Sequence, residues 1–514
     1  SGSLYKSTTL ITGYKKSLFV SHDRSSTVYS PRDHYFLPCL IPKTNNIVNY
    51  TGCSNPYSWH GYRLLTTFLK DPTTSEVFMT TRRGFLATMS IPLALTARNV
   101  PGAQSSFSPD AMETLSSLAR YNGSVQEVAQ NEDFWFEVSR AFTVDRSLIN
   151  LNNGHVSPSP GFVQDAMKRH LDYSHQAPAY SMIQILQPQK EGVRKRMAME
   201  WNVDPEEVAF TRNSSESLQI CQLGYDLNPG DEVLTTTQDY GRMLTTFRQR
   251  ELREGIVLRQ FDIPVPADDP ETIVELFEAN ITPKTRLILM CHMINLTGQI
   301  LPVKAVTTMA RKYGIPVIVD GAHALAHFDF KIPDLGCDNY SVSLHKWLFA
   351  PHGTGLLYVK KESIKDIWPL MAANESQKDN IRKFEEIGTA PAANYLAIAE
   401  ALTFHQGIGS KRKEARLVYL RNYWADQLLK NDRIRIHTSL QPGKAAGIAN
   451  VEIIGQDSAQ LKEWLWNEHK IISVAINHPQ FQGLRITPSV YTSLEELDRF
   501  VAAMEQVLSD GLSA

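Results

Sequence analysis

Short apolar runs alternate with longer amphipathic stretches through the middle of the chain. The runs lie at Val208–Thr211, Glu232–Thr236, Arg286–Cys291, Pro316–Val319 and Asn339–Ser343. Runs this short and rich in β-branched residues predict buried strands, and the amphipathic stretches between them predict helices. A repeated strand-helix order is typical of a mostly parallel sheet with helices on both faces. The pattern therefore predicts an α/β fold built around one large sheet.

The regular order ends after Tyr358. Amphipathic stretches and short apolar runs then follow at 395–405, 413–429, 451–454, 459–468, 471–476, 485–487 and 494–508. This mixture predicts a smaller α+β domain that closes over the first one. We therefore expect an N-terminal segment at 106–190, a large domain at 191–375 and a small C-terminal domain at 376–514.

Two of the predicted strands deliver side chains with complementary chemistry. Asp320 closes the Pro316–Val319 run, and Lys346 follows the Asn339–Ser343 run. The carboxyl ends of parallel strands meet at one edge of a sheet, so we expect both side chains there. Pyridoxal phosphate (PLP) needs such a pair, because a lysine forms its Schiff base and a carboxylate keeps its ring nitrogen protonated. The sequence therefore predicts a PLP site with Lys346 and Asp320 as catalytic residues.

Other predicted strands also end in polar residues that suit this cofactor. Ser214 and Ser215 open a helix that Asn213 caps, and the free N–H groups of a helix N-terminus favour a phosphate. Tyr240 lies just past the next strand, where an aromatic ring can stack on the cofactor. Asn295 is placed to hydrogen-bond the phenolate oxygen of the cofactor ring.

A turn-rich segment from Ile149 to His155 precedes these strands. Its Asn-Gly pair permits a left-handed backbone and a close approach to a ligand. We expect Asn153 to face the substrate, while an ordinary turn is the alternative. His292, at the end of a strand, is equally consistent with a core histidine.

The residues from Met79 onward are unlike those before them. Arg82 and Arg83 precede a Phe-Leu pair and a mildly apolar run at 87–97, the pattern of a twin-arginine export signal. A surface arginine pair before a core helix is the alternative. We expect residues 79–105 to be the signal peptide and residues 1–78 to be an upstream extension outside the natural protein. Such a protein would pass folded through the twin-arginine translocase into the bacterial periplasm.

Composition excludes several classes of function. The chain of 514 residues has a formal net charge of −2, so no basic excess attracts nucleic acid. No apolar run reaches the length of a membrane span. The five cysteines show no metal-ligand spacing, and we expect no metal site.

Several motifs share an order and spacing that can be compared with known families. In chain order they are Thr211–Glu216, Asn295–Gly298, Asp320–His323, Ser343–Trp347, Pro351–Val359, Phe384–Thr389 and Gly483–Thr487. Together they resemble the aminotransferase class V family of fold-type I PLP enzymes, in the isopenicillin N epimerase-like branch. The resemblance covers about 149–508. It implies the PLP-transferase fold, with a mostly parallel seven-stranded sheet and a smaller α+β domain, and a homodimer.

The resemblance also implies roles for individual residues. Lys346 would hold the cofactor and move the α-proton of the substrate, Asp320 would pair with the pyridinium nitrogen, and His323 would hydrogen-bond the ring oxygen. Arg485 would clamp the substrate carboxylate through a bidentate pair. The residues expected to hold the phosphate are Ser214, Ser215, Ser343 and His345, with Thr354 or Thr389 reaching the phosphate of a partner subunit.

The reaction type stays open at this stage. Amino-group transfer, epimerisation at the α-carbon and α,β- or C–S-bond cleavage all begin with proton removal by Lys346. A cysteine desulfurase needs a nucleophilic cysteine after the lysine, and no cysteine follows Cys337. An exported enzyme would act on a periplasmic amino acid or peptide-derived natural product. A PLP-fold binding protein without turnover is the alternative from another class.

Overall fold

A large mixed sheet carries the middle of the chain. The computed structural model describes residues 121–512 together with Glu113, Ser116 and Leu118. Within this part of the chain, the largest sheet contains seven strands in the order β2-β8-β7-β6-β5-β3-β4. The strands of the structure are β1 (Ile149–Asn150), β2 (Val208–Thr211), β3 (Glu232–Thr236), β4 (Val257–Phe261), β5 (Thr285–Cys291), β6 (Val317–Asp320), β7 (Asn339–Ser343), β8 (Gly355–Val359), β9 (Ile434–Ile436), β10 (Ala449–Ile453), β11 (Ile471–Ile472), β12 (Val474–His478) and β13 (Phe481–Ile486).

The strands of the large sheet run mostly parallel. Neighbouring strands are parallel from β7 through β6, β5 and β3 to β4, and only β8 runs antiparallel to its neighbours β7 and β2. This topology confirms the predicted α/β fold with a mostly parallel sheet. It also brings the carboxyl ends of β2, β7, β6, β5 and β3 to one edge.

Helices connect and cover these strands. They are α1 (Val125–Ala129), α2 (Glu132–Arg140), α3 (Gly161–Gln176), α4 (Gln187–Glu200), α5 (Ser214–Gly224), α6 (Gly241–Glu254), α7 (Pro270–Ala279), α8 (Val303–Lys312), α9 (Ala392–Leu396), α10 (Ile398–Ile408), α11 (Ser410–Leu428), α12 (Ser458–His469) and α13 (Leu494–Asp510). A short turn at Pro178–Tyr180 and a π-helical stretch at Ser181–Leu186 lead into α4. Every residue of β2, β3, β6, β7 and β8 is buried, because helices cover both faces of the sheet.

A second sheet lies near the C-terminal end. It has the strand order β12-β13-β10-β9, and all of its pairs are antiparallel. Its core includes Trp424 of α11 and Phe500 of α13, whose rings meet edge to face at 5.7 Å between centroids. An aromatic pair of this geometry adds to the burial of apolar area that joins the two helices.

The N-terminal segment pairs with the C-terminal part of the chain. β1 pairs in parallel with β11, and Asn152 forms a parallel bridge with Thr487, just after β13. These contacts place the residues that follow β1 beside the end of β13. The turn after β1 and the end of β13 are therefore held together by contacts between residues more than three hundred positions apart.

Two other expectations have different outcomes. The i, i+4, i+8 spacing of Val193, Met197 and Trp201 predicts core residues of a helix, and all three are buried. The polar composition of 360–383 predicts a helix and loop, but the stretch forms separate 3-10 turns instead. Pro369 explains part of the difference, because it lacks a backbone N–H and disfavours helical geometry in the residue before it.

Candidate active site

A cavity of about 330 Å³ lies at the carboxyl edge of the large sheet. Its walls contain most of the residues that the sequence pointed to. These are Ser214, Ser215, Tyr240, Asn295, Asp320, His323, Ser343, His345, Lys346 and Arg485. Residues far apart in the chain meet here because the parallel strands end at the same edge.

Three predicted residues, Thr354, Thr389 and Asn153, do not line this cavity. Thr354 is buried, and its Oγ1 donates to the carbonyl oxygen of Pro351 at 2.6 Å. Thr389 is exposed and lines a separate cavity beside Gly388 and Pro391. Its predicted contact with the phosphate of a partner subunit stays a prediction.

Asn153 is buried, and its side-chain amide is fully occupied within the protein. Nδ2 donates to the carbonyl oxygens of Asn150 (2.9 Å) and Thr487 (3.0 Å), and Oδ1 accepts from the Tyr491 hydroxyl at 2.5 Å. The structure thus corrects the expected substrate-facing role of Asn153. Its amide instead braces the turn whose next residues, Gly154 and His155, line the cavity.

Lys346 and Asp320 face the same cavity with opposed shifts in acidity. Burial lowers the pKa of Lys346 to about 8, and the charge of Asp320 partly offsets this effect. Burial raises the pKa of Asp320 to about 6, against a hydrogen bond from the N–H of Ala322 at 2.9 Å. The lysine can therefore carry or release a proton near neutral pH, as a proton-transferring group must.

His323 connects directly to the lysine. Its Nε2 lies 3.0 Å from Nζ of Lys346, and burial keeps its pKa well below the usual value. Its backbone is held by His327, whose Nδ1 donates to the carbonyl oxygen of His323 at 2.8 Å while its Nε2 accepts from the N–H of Gly447. His327 also stacks on Trp347 with 3.6 Å between ring centroids, which fixes the residue next to Lys346.

The N-terminus of α5 forms an anion cradle with the end of β7. Oδ1 of Asn213 accepts from the N–H of Glu216 at 2.9 Å, which confirms the predicted cap. Oγ of Ser343 accepts from the N–H of Ser214 at 3.0 Å and donates to Oγ of Ser214 at 2.8 Å. Gly355 lets β8 approach the start of α5, because a Cβ there would lie 2.7 Å from the Asn213 backbone. Serine hydroxyls at a helix N-terminus suit a phosphate.

Arg485 is buried without an anionic partner. Its Nη1 donates to the carbonyl oxygen of Asn295 at 3.2 Å, and its Nη2 to Oδ1 of Asn152 at 2.9 Å. Within residues 121–512, its Nε has no hydrogen-bond partner and its guanidinium forms no ion pair. A buried arginine elsewhere, Arg194, pairs with two carboxylates, those of Glu385 and Glu191. An unpaired buried charge is costly, so Arg485 is poised to accept an anion from a ligand.

The residues around this cavity fit PLP. Oδ1 of Asn295 and Nδ1 of His323 are buried and have no partner among the described residues. Together with the Asp320 carboxylate and the serine cradle, these groups match the ring oxygen, ring nitrogen and phosphate of the cofactor. Tyr240 is 37% exposed at the rim, where its ring can cover the cofactor.

Some residues of the site were not predicted from the sequence. His155, Arg242 and Cys291 also line the cavity. The sequence held a signal for two of them, since His155 ends the turn-rich segment and Arg242 lies two positions after Tyr240. The Cys291 thiol stays protonated, because burial and the carboxylates of Asp239 and Asp320 raise its pKa well above the usual value. His292 lies outside this cavity and is a core histidine bonded to the Tyr340 hydroxyl at 2.8 Å.

The fold and this set of groups define a PLP-dependent enzyme. The family model described as "Aminotransferase class-V" matches residues 151–500, and the chain belongs to this family. Both the cofactor and the family expected from the sequence are thereby confirmed.

Relatives within the family have more than one activity. The chain is 27% identical to the isopenicillin N epimerase of Amycolatopsis lactamdurans, over 73% of this chain and 98% of that one. It is 26% identical to a probable cysteine desulfurase of Xylella fastidiosa, over 62% and 80% of the two chains. Among solved structures, cysteine desulfurase from Thermococcus onnurineus superposes with a TM-score of 0.63, at 23% identity over 73% of this chain and 98% of that one. The structural likeness shows the shared fold.

The described part of the chain gives two further findings. No helix within it is long and apolar enough to cross a membrane. Nor do residues 121–512 contain a group of three or more histidine, cysteine or acidic side chains arranged around a common metal position.

Proposed function

We propose that the enzyme acts at the α-carbon of an amino acid, or of an amino-acid unit in a peptide-derived natural product, as an epimerase or aminotransferase. The observation that carries this proposal is Arg485, a buried cation that forms no ion pair with any described residue and that lines the same cavity as Lys346. An α-carboxylate supplies the missing anion. Its attached α-carbon then lies within the cavity that the lysine faces.

The residues of the site divide the work between them. PLP, when bound, supplies an electron sink for the bond broken at the α-carbon. Arg485 fixes the carboxylate, and Lys346 removes and returns the α-proton. Asp320 keeps a proton at the ring nitrogen, while the N-terminus of α5 and Ser343 hold the phosphate. Positioning the α-carbon against a lysine with a pKa of about 8 favours proton transfer at neutral pH.

Cleavage of a C–S or other α,β-bond is the second candidate. A solved structure described as a cystine C–S lyase superposes with a TM-score of 0.62, at 22% identity over 70% of this chain and 97% of that one. Chemistry that uses an enzyme thiol is disfavoured here. Burial raises the pKa of Cys221, Cys291 and Cys337, and no cysteine follows Cys337 in the sequence. An absence of turnover has no support, because Lys346, Asp320 and Arg485 share one cavity.

We also propose export by the twin-arginine route and a homodimer. The signal pattern at 79–105 lies outside the described residues, so it rests on the sequence alone. Replacing Arg82 and Arg83 by lysine should retain the protein in the cytoplasm when it is expressed with its export machinery. Light scattering on the purified enzyme should give twice the mass of the chain, and a monomer mass would contradict the dimer.

The experiment for the catalytic proposal is an absorbance spectrum with a panel of L- and D-amino acids, followed by product analysis. A visible cofactor band that is lost in Lys346→Ala supports the site. Inverted substrate would identify an epimerase, a keto acid an aminotransferase, and pyruvate with sulfide or persulfide a lyase. Failure of every amino acid to change the spectrum would contradict the proposal.

A further inference from the structure

The turn that carries Lys346 is held from behind by His327, a fully buried histidine that does not line the cavity. The ring of His327 stacks on Trp347, the residue after Lys346, with 3.6 Å between the centroids. Its Nδ1 donates to the carbonyl oxygen of His323 at 2.8 Å, and its Nε2 accepts from the N–H of Gly447 at 2.8 Å. Donation through one nitrogen and acceptance through the other require a neutral imidazole. His327 therefore connects two neighbours of the catalytic lysine to Gly447.

Gly447 belongs to the segment that leads into the strand beside Arg485. The strand β10 begins two residues later, and Asn450 of β10 pairs with Arg485 of β13. A Cβ at Gly447 would lie 3.0 Å from Nε2 of His327 and 2.9 Å from Cβ of Leu417, so only a glycine allows this close approach. The contact with His327 thus joins the turn of the lysine to the pair of strands that carries the arginine.

Helix α11 braces both ends of this connection. Lys413, Leu417 and Arg421 follow one another at intervals of four residues, which places them on one face of the helix. Nζ of Lys413 donates to the carbonyl oxygen of Trp347. Nη1 of Arg421 donates to the carbonyl oxygen of Ala446 at 3.0 Å, and Leu417 packs on the glycine that follows. One face of α11 therefore contacts the turn of the lysine and the approach to β10 together.

The two cations on this face are arranged in an unusual way. Lys413 and Arg421 are almost completely buried, and neither forms an ion pair with a described residue. Arg416 of the same helix shows the ordinary arrangement, because its guanidinium binds the carboxylate of Glu132 at 2.5 Å. Burial of a cation without an anion is costly. A role in holding the two backbone segments accounts for that cost.

The turn after Lys346 needs such support, because its backbone is strained. Phe349 has a φ of +61°, a left-handed conformation that a bulky residue rarely adopts. Nζ of Lys413 lies 4.0 Å from the centre of the Phe349 ring and also holds the carbonyl group of Trp347, two residues earlier. Strained conformations persist where surrounding contacts enforce them, and they cluster at functional sites.

We propose that His327 and Lys413 are positioning residues, which hold the turn of Lys346 at a fixed place relative to the strand of Arg485. The inference rests on the proposed function, since it concerns a lysine that must meet the α-carbon of a substrate whose carboxylate is bound to Arg485. It goes further by naming two buried residues that set this alignment although neither lines the cavity.

The alignment matters because the two groups come from different sheets. Lys346 follows β7 of the large sheet, whereas Arg485 lies in β13 of the second sheet. A misplacement of about 1 Å between a catalytic group and a reacting atom can slow a reaction by about 100-fold. Loss of either positioning residue should therefore slow the reactions of Lys346 and leave the groups that bind phosphate and carboxylate in place.

The first test needs no substrate. Cofactor-free enzyme is mixed with PLP, and the visible band reports capture by Lys346. His327→Phe keeps a ring on Trp347 but removes both hydrogen bonds of the imidazole. Lys413→Met keeps the apolar stem but removes the bond to the Trp347 carbonyl. Each substitution should slow capture at saturating PLP by about 10-fold or more. The double variant should lose less than the product of the two single effects, because both residues hold one turn.

Arg416→Met is the matched control for this test. It removes another buried cation of α11, one that holds the carbonyl oxygen of Ala129 and does not line the cavity. Its melting temperature should fall as in the other variants, while its rate of capture should equal that of the wild type. Equal slowing in all three variants would overturn the inference, as would capture at the wild-type rate by Lys413→Met. The methionine variant decides the test alone if His327→Phe does not fold.

The second test uses the loaded enzyme and the best amino acid of the panel. Both variants should lower kcat by about 10-fold or more and change KM by less than about twofold, because Arg485 still binds the carboxylate. A rise in KM at constant kcat would overturn the inference and leave the proposed function standing. No turnover by the wild type would overturn the proposed function, while the capture rates would still decide whether the two residues position Lys346.

Discussion

The two sides of the active site differ in how the chain builds them. The cofactor wall, formed by Ser214, Asp320, Ser343 and Lys346, consists of residues that end or follow strands of one sheet. The substrate wall, formed by Asn152, His155 and Arg485, comes from the N-terminal segment and the last strand of the second sheet. The contact between Ser343 and Ser214 in the cofactor wall spans 129 positions, whereas the contact between Arg485 and Asn152 in the substrate wall spans 333.

The walls also differ in charge. The cofactor wall contains a cation and an anion, Lys346 and Asp320, whose charges each stabilise the other. The substrate wall contains a buried cation, Arg485, whose hydrogen-bond acceptors among the described residues are both neutral. The cofactor wall is therefore electrostatically balanced within the protein, whereas the charge of the substrate wall is the one that we propose the substrate carboxylate neutralises.

The largest effect is expected from removing the anion of the cofactor wall. Asp320→Asn should lower kcat by about 100-fold or more, because an amide cannot keep the ring nitrogen protonated. Steady-state kinetics with the best amino acid of the panel would measure it. Asp334→Asn, at an exposed aspartate of a 3-10 turn, should leave kcat unchanged. Retention of most activity in the Asp320 variant would contradict the assigned role.

A smaller effect is expected on the substrate wall. Arg485→Lys should lower kcat/KM by about 10- to 100-fold, mainly through KM, because lysine cannot form the bidentate pair with a carboxylate. The visible band of the bound cofactor should persist, which would show that the substitution affects substrate binding and leaves cofactor binding intact. Arg435→Lys is the matched control, since Arg435 is an exposed arginine of β9 in the same sheet. An unchanged KM would show that Arg485 does not bind the substrate carboxylate.

A weaker effect is expected from removing the hydrogen bond between Asn152 and Arg485. Asn152→Ala removes the acceptor of one guanidinium hydrogen bond and should raise KM by about 2- to 10-fold with kcat nearly unchanged. Asn477→Ala, at an exposed position of β12, should have no effect on either constant. A fall in kcat with KM constant would show that Asn152 acts on the chemical step instead.

The pH dependence of cofactor loading tests the pKa of Lys346 and the effect of Asp320 on it. Cofactor-free protein captures PLP through the neutral amine of Lys346, whose pKa burial lowers to about 8. Loading, followed by the visible band, should therefore accelerate as pH rises and level off above about pH 8. Asp320→Asn removes the charge that raises this pKa, so its plateau should begin at lower pH. A rate that still climbs beyond pH 10 in the wild type would indicate an exposed lysine.

The cofactor wall was predictable because local pattern and function coincide there. A short apolar run that ends in Asp320 or leads to Lys346 predicts both the strand and the edge of the sheet at which the side chain lies. The capping pattern at Asn213 likewise identified the start of α5 and its serines. These signals need no knowledge of distant contacts.

The substrate wall was predictable only in part. The sequence predicts the turn near Asn153. The amide of that residue, however, is hydrogen-bonded to Thr487 and Tyr491, which come from the other end of the chain. His155 faces the cavity instead. Which side chain of a turn meets the ligand depends on the backbone path, and here the pairing of β1 with β11 determines that path.

The most direct test of the site is to identify the lysine that binds the cofactor. Borohydride reduction of the wild-type enzyme would make the covalent bond between the cofactor and its lysine permanent, and mass spectrometry of the digested protein would locate it. We expect a phosphopyridoxyl group on Lys346 alone. A label on another lysine, or none on a protein supplied with PLP, would contradict it.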